Sequence, residues 1–356
     1  MFKLLLPVGI SFYTFQTLSY AVDVYNDRIK AEQHLGHFAL YVSFFPQLVA
    51  GPIERFSQLT PQFKTQKVLN YENFANGFRL ILYGLFIKMV IADNISGLVD
   101  QVYLEPELFH SLDVFLAMVF YSFQIYSDFY GYSLIAIGTA LLLGIRLMDN
   151  FKTPYLAKNI AEFWQRWHIS LSMWFRDYVY YPLGGKRTTK TLWIRNIIAV
   201  FVLSGIWHGA NWTFLIWGAL YAIIYLLEKA FSNAFSSKSD VTSYSLIHIL
   251  LAVKTFILVT FVWVFFRSPT FNDAISIFDS LFSNWAIHEK ALLVPLTTII
   301  FVGLFIISDV VFYNSRFDKW MINKPFMTRW SVYGVLIFSI IVFAGVEDHP
   351  FIYFQF

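Results

Sequence analysis

There is no cysteine among the 356 residues of this chain. That excludes disulfides, a thiolate nucleophile and any cysteine-bound zinc, and with them the palmitoyltransferases that acylate themselves on cysteine. Charge is scarce too: Asp, Glu, Lys and Arg make up 14% of the residues, against roughly 25% in a soluble domain. The formal charge of +3 is small and sits in loops, which argues against nucleic acid as a partner. No small-residue cleavage site closes the apolar run after Met1-Phe2-Lys3, so no cleavable signal peptide is read there. Internal repeats and low-complexity tracts are missing as well. What remains is 57% hydrophobic and 20% aromatic, with 40 Phe, 21 Tyr and 11 Trp. Such a composition suits a bilayer, with rings at both interfaces and between helices.

A helix needs about 20 apolar residues to cross the hydrocarbon core. Segments 4–25, 78–92, 114–145, 197–227, 246–266, 291–313 and 330–346 read as spans, the second being short and flanked by Arg79 and Lys88. Segment 38–50 is too short to cross and reads as a re-entrant or interfacial piece. The expected fold is an all-α, multi-pass transmembrane helical bundle, with one membrane domain over residues 1–356. Loop charge then sets the orientation. Residues 151–197 carry eight Lys or Arg and two acids, and 313–329 are basic again, which puts both inside. Residues 93–113 carry five acids and no Lys or Arg, which puts them outside.

Three single spans between the two basic loops would end on the wrong side. Segment 197–227 is some 31 residues long and interrupted by Gly205 and Gly209, so the parity is repaired if it enters, breaks and returns. His208 then lies at a break within the membrane. Irregular backbone at that depth is tolerated only where it is buried in protein or lines a watery cavity.

Polar side chains in such segments are functional candidates by default. Ser204 and Asn211 flank His208 at spacings that a continuous helix would gather on one face. Asn211 could then bond one ring nitrogen and leave the other to take a proton. The competing reading is a buried histidine bonded to a carbonyl at the helix break. A second cluster, "EFWQRWHISLSMWFRDYVYYPLGGKR", holds Trp164, Arg166, Trp167, His168 and Arg176. It reads either as an interfacial helix or as a basic, aromatic inlet for a phosphorylated or acidic donor. Asp128, with Gln124 one turn away, is a third intramembrane group, read as a structural partner for a buried amide or hydroxyl ahead of a catalytic role. His34 and His37 have the spacing for a shared metal, but a third ligand is not evident and no metal site is expected. Ser204 lacks the G-x-S-x-G elbow of a serine hydrolase.

These residues carry a resemblance. The stretches "LLPVGISFYTFQTLSYAVDVY", "FFPQLVAGPIERF", "FWQRWHISLSMWFRDYVYYPLGG", "SGIWHGANW" and "FIYFQF" occur in the order found in the membrane-bound O-acyltransferase family. Within it, the chain resembles the bacterial alginate O-acetylase-like branch. The resemblance implies an acyl-transfer tunnel through the membrane, with re-entrant or interfacial helices around it. It also implies a cytosolic acyl thioester (acetyl-coenzyme A or an acyl carrier) as co-substrate, with no bound cofactor. The acceptor would be an extracytoplasmic polysaccharide such as alginate or peptidoglycan, served with a periplasmic or membrane partner transferase from the bacterial inner membrane. By motif match His208 is the family's catalytic histidine and His168 its second functional histidine. Family members have helices ahead of the "PVGISFYTF" motif, so a chain without those N-terminal helices is expected. Rival readings are D-alanyl transfer to teichoic acid, a proton-coupled transporter relaying through His208 and Asp128, and an inactive scaffold of a secretion complex.

Overall fold

A computed structural model describes residues 9–48, 51–68, 70–234, 246–287 and 289–344. The described residues form helices and one isolated β-bridge, Phe109 to Lys290. The first four helices are short: α1 Ile10–Tyr25, α2 Leu35–Ser43, α3 Phe45–Leu48 and α4 Phe56–Phe63. Next, α5 Tyr71–Phe86 runs through a π-helical turn, Ile87–Ala92, into α6 Asp93–Leu104. The long α7, Ser111–Leu142, returns beside it. The basic segment folds into α8 Ile160–Arg166, α9 Ile169–Phe175 and a π-helical turn, Arg176–Tyr180. Then come α10 Lys190–His208, α11 Trp212–Ala234, α12 Leu246–Arg267, α13 Phe271–Ser283, α14 Leu296–Val311, α15 Phe317–Ile322 and α16 Phe326–Phe343.

The antiparallel pair of α5–α6 with α7 is the spine. Glycines seven residues apart on each helix let the backbones touch: a Cβ on Gly84 would lie 2.7 Å from the Gly131 carbonyl oxygen, and one on Gly138 2.6 Å from that of Gly77. Small residues at such contacts are the usual device of membrane helices, which lack a hydrophobic drive to associate in lipid. Helix starts are capped by short polar side chains. Asn70 accepts from Glu72 N at 2.8 Å, Asn159 from Glu162 N at 2.8 Å, and Thr270 with Asp273 closes a capping box.

Several span assignments are corrected. The segment expected at 78–92 is part of a continuous 34-residue helix, Tyr71–Leu104. It follows that most of the acidic stretch at 93–113 is helix and not loop. Its start is held by Lys88, whose ammonium pairs with Asp93 at 2.6 Å and Asp128 at 2.9 Å. Asp128 therefore serves an ammonium, where an amide or hydroxyl partner was expected. Segment 38–50 holds two short helices, and the described part of 4–25 begins as helix at Ile10. The 291–313 segment shrinks to the 16-residue α14.

The 197–227 segment does break after His208, but between two complete helices packed side by side. At 1.5 Å per residue the 19 residues of α10 reach about 28 Å, close to the roughly 30 Å hydrocarbon thickness. The turn after His208 thus follows a helix long enough to cross, where a break halfway along a span was expected. The cysteine-free chain suits a direct test with an impermeant thiol reagent. Cysteines at Lys186 and Ser237 should react only from the cytoplasmic side, and cysteines at Glu105 and Trp212 only from the other. Ser237 lies outside the described residues. Trp212 is 73% exposed at the turn. Labelling of Trp212→Cys from the cytoplasmic side would reject the two-span hairpin.

Candidate active site

The hairpin of α10 and α11 is set by two glycines. A Cβ on Gly205 would sit 2.3 Å from the Phe214 carbonyl oxygen, and one on Gly218 2.4 Å from that of Phe201. With both backbones in contact, the turn is tight and His208 is the last residue of α10. Rings from three elements wall it in. Centroid separations are 4.8 Å to Trp207, 5.1 Å to Trp217, 6.4 Å to Phe214 and 5.1 Å to Phe266 of α12.

His168 reaches the same region from the basic segment. Its ring is 4.7 Å from Phe129 and 6.3 Å from both Phe12 and Trp207. Trp207 therefore touches both histidines. Burial, with a smaller contribution from nearby His208, holds the His168 imidazole well below the ordinary histidine range. His168 also carries a backbone φ of +40°, a conformation that costs a non-glycine residue about 1–3 kcal/mol and persists only where its surroundings enforce it.

A cavity of about 400 Å³ opens beside α10, among α8, α9, the Arg176–Tyr180 turn and α11. Ile197, Phe201 and Ser204 of α10 line it in successive turns, and Ser204 stands one turn short of His208. Trp164, Arg176 and Tyr225 line it as well. Trp164 also packs edge-on to Trp217 at 5.7 Å, so one indole separates the cavity from the ring beside His208. The size falls within the range of small-molecule pockets, roughly 300–1,000 Å³.

The residues expected at the site divide. Trp164, Arg176 and Ser204 line the cavity, whereas Arg166 and Trp167 do not. Arg166 is a clamp: it pairs with Glu162 at 2.9 Å and donates to Lys152 O at 3.1 Å and Tyr313 Oη at 2.8 Å. Trp167 is core, packed on Phe151, Phe163 and Trp263. The helices α8 and α9 are thus more buried than an interfacial helix, and His168 packs on Trp207 and lies outside the cavity lining. Asn211 is corrected as well, because α10 ends before it and no shared helical face exists. It donates to Pro269 O at 2.6 Å and accepts from Thr213 N at 3.4 Å, tying the turn to the end of α12.

His34 and His37 stack at 4.6 Å, and His37 faces Glu32 at 3.4 Å, a carboxylate the sequence reading overlooked. Lys64, bonded at 2.5 Å, holds Glu32 down to about 2. Among the described residues no group of three or more His, Asp or Glu is arranged to hold a metal. Sequence reasoning also missed Trp217 and Phe266 at His208 and Phe201 in the cavity. One aromatic among many in an apolar span carries no local signal of what it faces.

Comparison with known proteins gives a consistent picture. The model of MBOAT, the membrane-bound O-acyltransferase family, matches residues 30–268. The chain is 40% identical over 288 residues to the probable alginate O-acetylase of Azotobacter vinelandii, covering 80% of this chain and 56% of that protein. It is 38% identical over 304 residues to the peptidoglycan O-acetyltransferase of Helicobacter pylori, with 78% and 57% covered. Against the teichoic acid D-alanyltransferase of Bacillus subtilis it is 31% identical over 281 residues, with 74% and 69% covered. The chain spans little more than half the length of the first two of these relatives.

Proposed function

The chain belongs to the membrane-bound O-acyltransferase family, and we propose that it moves an acetyl group from a cytosolic thioester to hydroxyls of an extracytoplasmic polysaccharide, working in the bacterial inner membrane. The observation that carries this reading is the placement of His208. It ends a helix long enough to cross the bilayer, one turn beyond a cavity lined by the basic segment, inside a wall of aromatic rings.

Thioester and alcohol then meet from opposite sides. The acyl thioester enters along Arg176 and Tyr225, with Arg176 toward any anionic part of the donor and the acyl end toward Ser204. The acceptor hydroxyl approaches from the turn. As its oxygen bonds to the carbonyl carbon, a His208 ring nitrogen takes the proton. The carbon–sulfur bond breaks, and the proton passes from His208 to the departing sulfur, leaving a thiol and a neutral imidazole. The exchange of thioester and alcohol for ester and thiol is proton-neutral, so no relay across the membrane is needed. Base catalysis of this kind is worth roughly 10²–10⁴-fold, and the aromatic wall limits hydrolysis by excluding water. His168 belongs to the transfer site and not to donor capture, because its ring packs on Trp207 and is absent from the cavity lining.

The test is transfer of radiolabel from acetyl-coenzyme A, or from an acetylated carrier, to polysaccharide in membranes containing the chain. Label should appear in the polymer, with little on the chain when acceptor is withheld. Denaturation-resistant label on the protein that vanishes in Ser204→Ala would replace direct transfer by a serine-linked intermediate. Transfer from a D-alanyl carrier, and from no acetyl donor, would replace the acetyl reading.

A further inference from the structure

His168 is one of three non-glycine residues with positive φ among the described residues, and the neighbouring chain is built to keep it so. Two backbone bonds bracket it: Lys152 N donates to Arg166 O at 2.9 Å, and Ile169 N donates to Asn150 O at 2.9 Å. Asn150 adds its side chain. Its Oδ1 accepts from Ser170 Oγ at 2.7 Å and from Ser170 N at 3.3 Å, and its Nδ2 donates to Ser133 Oγ on α7 at 3.3 Å. Asn150, Ser170, Ser133 and His168 are each 1% exposed, so no water competes for these bonds. One amide thus joins the start of α9 to the spine across His168. A buried amide left half-satisfied is costly, so the network holds one geometry.

We propose that Asn150 is a positioning residue for acyl transfer, holding the His168–Ser170 turn so that the imidazole stays against Trp207, beside His208. It touches neither donor nor acceptor and acts only through His168. The proposal rests on His168 taking part in the transfer step, and the test separates the two.

Transfer kinetics would be measured in membranes at matched protein level for Asn150→Ala, His168→Ala and the double variant. A misplaced group costs up to about 10²-fold, so Asn150→Ala should lower kcat by about that factor with donor KM nearly unchanged. In the His168→Ala background the same change should cost less than about twofold, because coupled residues are not additive. Asn150→Asp, which keeps the acceptor for Ser170, should regain most of the rate. Full kcat in Asn150→Ala, or an equal loss in both backgrounds, overturns the proposal. Full kcat in His168→Ala removes the reading beneath it, and the proposal with it. A slow His168→Ala beside a fast Asn150→Ala rejects Asn150 alone. If Asn150→Ala does not accumulate, Ser170→Ala is read in its place: it removes one bond, and it must show a kcat loss that disappears without His168.

Discussion

His208→Ala should abolish polymer acylation while the protein still accumulates in the membrane. The side chain ends α10 and contributes ring contacts, not helix bonds, to the hairpin. The fold keeps the Gly205 and Gly218 contacts without it, so the loss falls on chemistry. Removing a general base costs about 10²–10⁴-fold, below detection for polymer acetate in cells. The comparison is acetate per unit polymer at matched protein level, with His208→Gln as a second variant that keeps size and a polar end. Both should be inactive, since an amide does not take up a proton near neutral pH. Wild-type acetylation by either variant would remove His208 from the role of base.

Gly205→Ala should be strongly damaging, for the hairpin and for activity. The added Cβ would meet the Phe214 carbonyl oxygen at 2.3 Å, with the carbonyl carbon 3.1 Å away. Both are backbone atoms of α11 that no rotamer change can move. Overpacking costs roughly 1–3 kcal/mol even where side chains can yield, so this hairpin must open. Opening it also moves Trp217 from His208, and activity should fall with stability. Gly303→Ala is the control, for a Cβ there meets nothing within 4 Å. Thermal unfolding in detergent should show a clear loss of midpoint for Gly205→Ala and none for Gly303→Ala. Equal midpoints would mean that the helices do not approach as described.

The hairpin also shows where reading the sequence stopped. Length, two glycines and loop charge were enough to see that 197–227 is interrupted near His208. They did not tell a mid-membrane break from a complete second span, because α10 begins among Lys190 and Arg195, ahead of the apolar run. In the same way 78–92 looked short because Asp93 and Asp100 interrupt it. Lys88 pairs with the first and Arg267 with the second at 2.5 Å, and with those charges matched the helix continues to Leu104.

Taken alone, the sequence determined the apolar character of the segments and the helical class. Each depends on composition or on residues close together in the chain. Tertiary structure decided which side chains meet. Arg166 and Arg176 look alike in "FWQRWHISLSMWFRDYVYY", yet one clamps Tyr313 and Lys152 while the other lines the cavity. His168 and His208 stand 40 positions apart in the sequence and come together on Trp207 only because α10 packs beside the short helices of the basic segment. Asn150 has no local signature whatever, and its role exists only through Ser170 and Ser133. The physical reason is range. Partition into a bilayer sums over single residues, whereas the pairing of side chains depends on how closely and at what angle helices pack, and that is set by contacts between residues far apart in the chain.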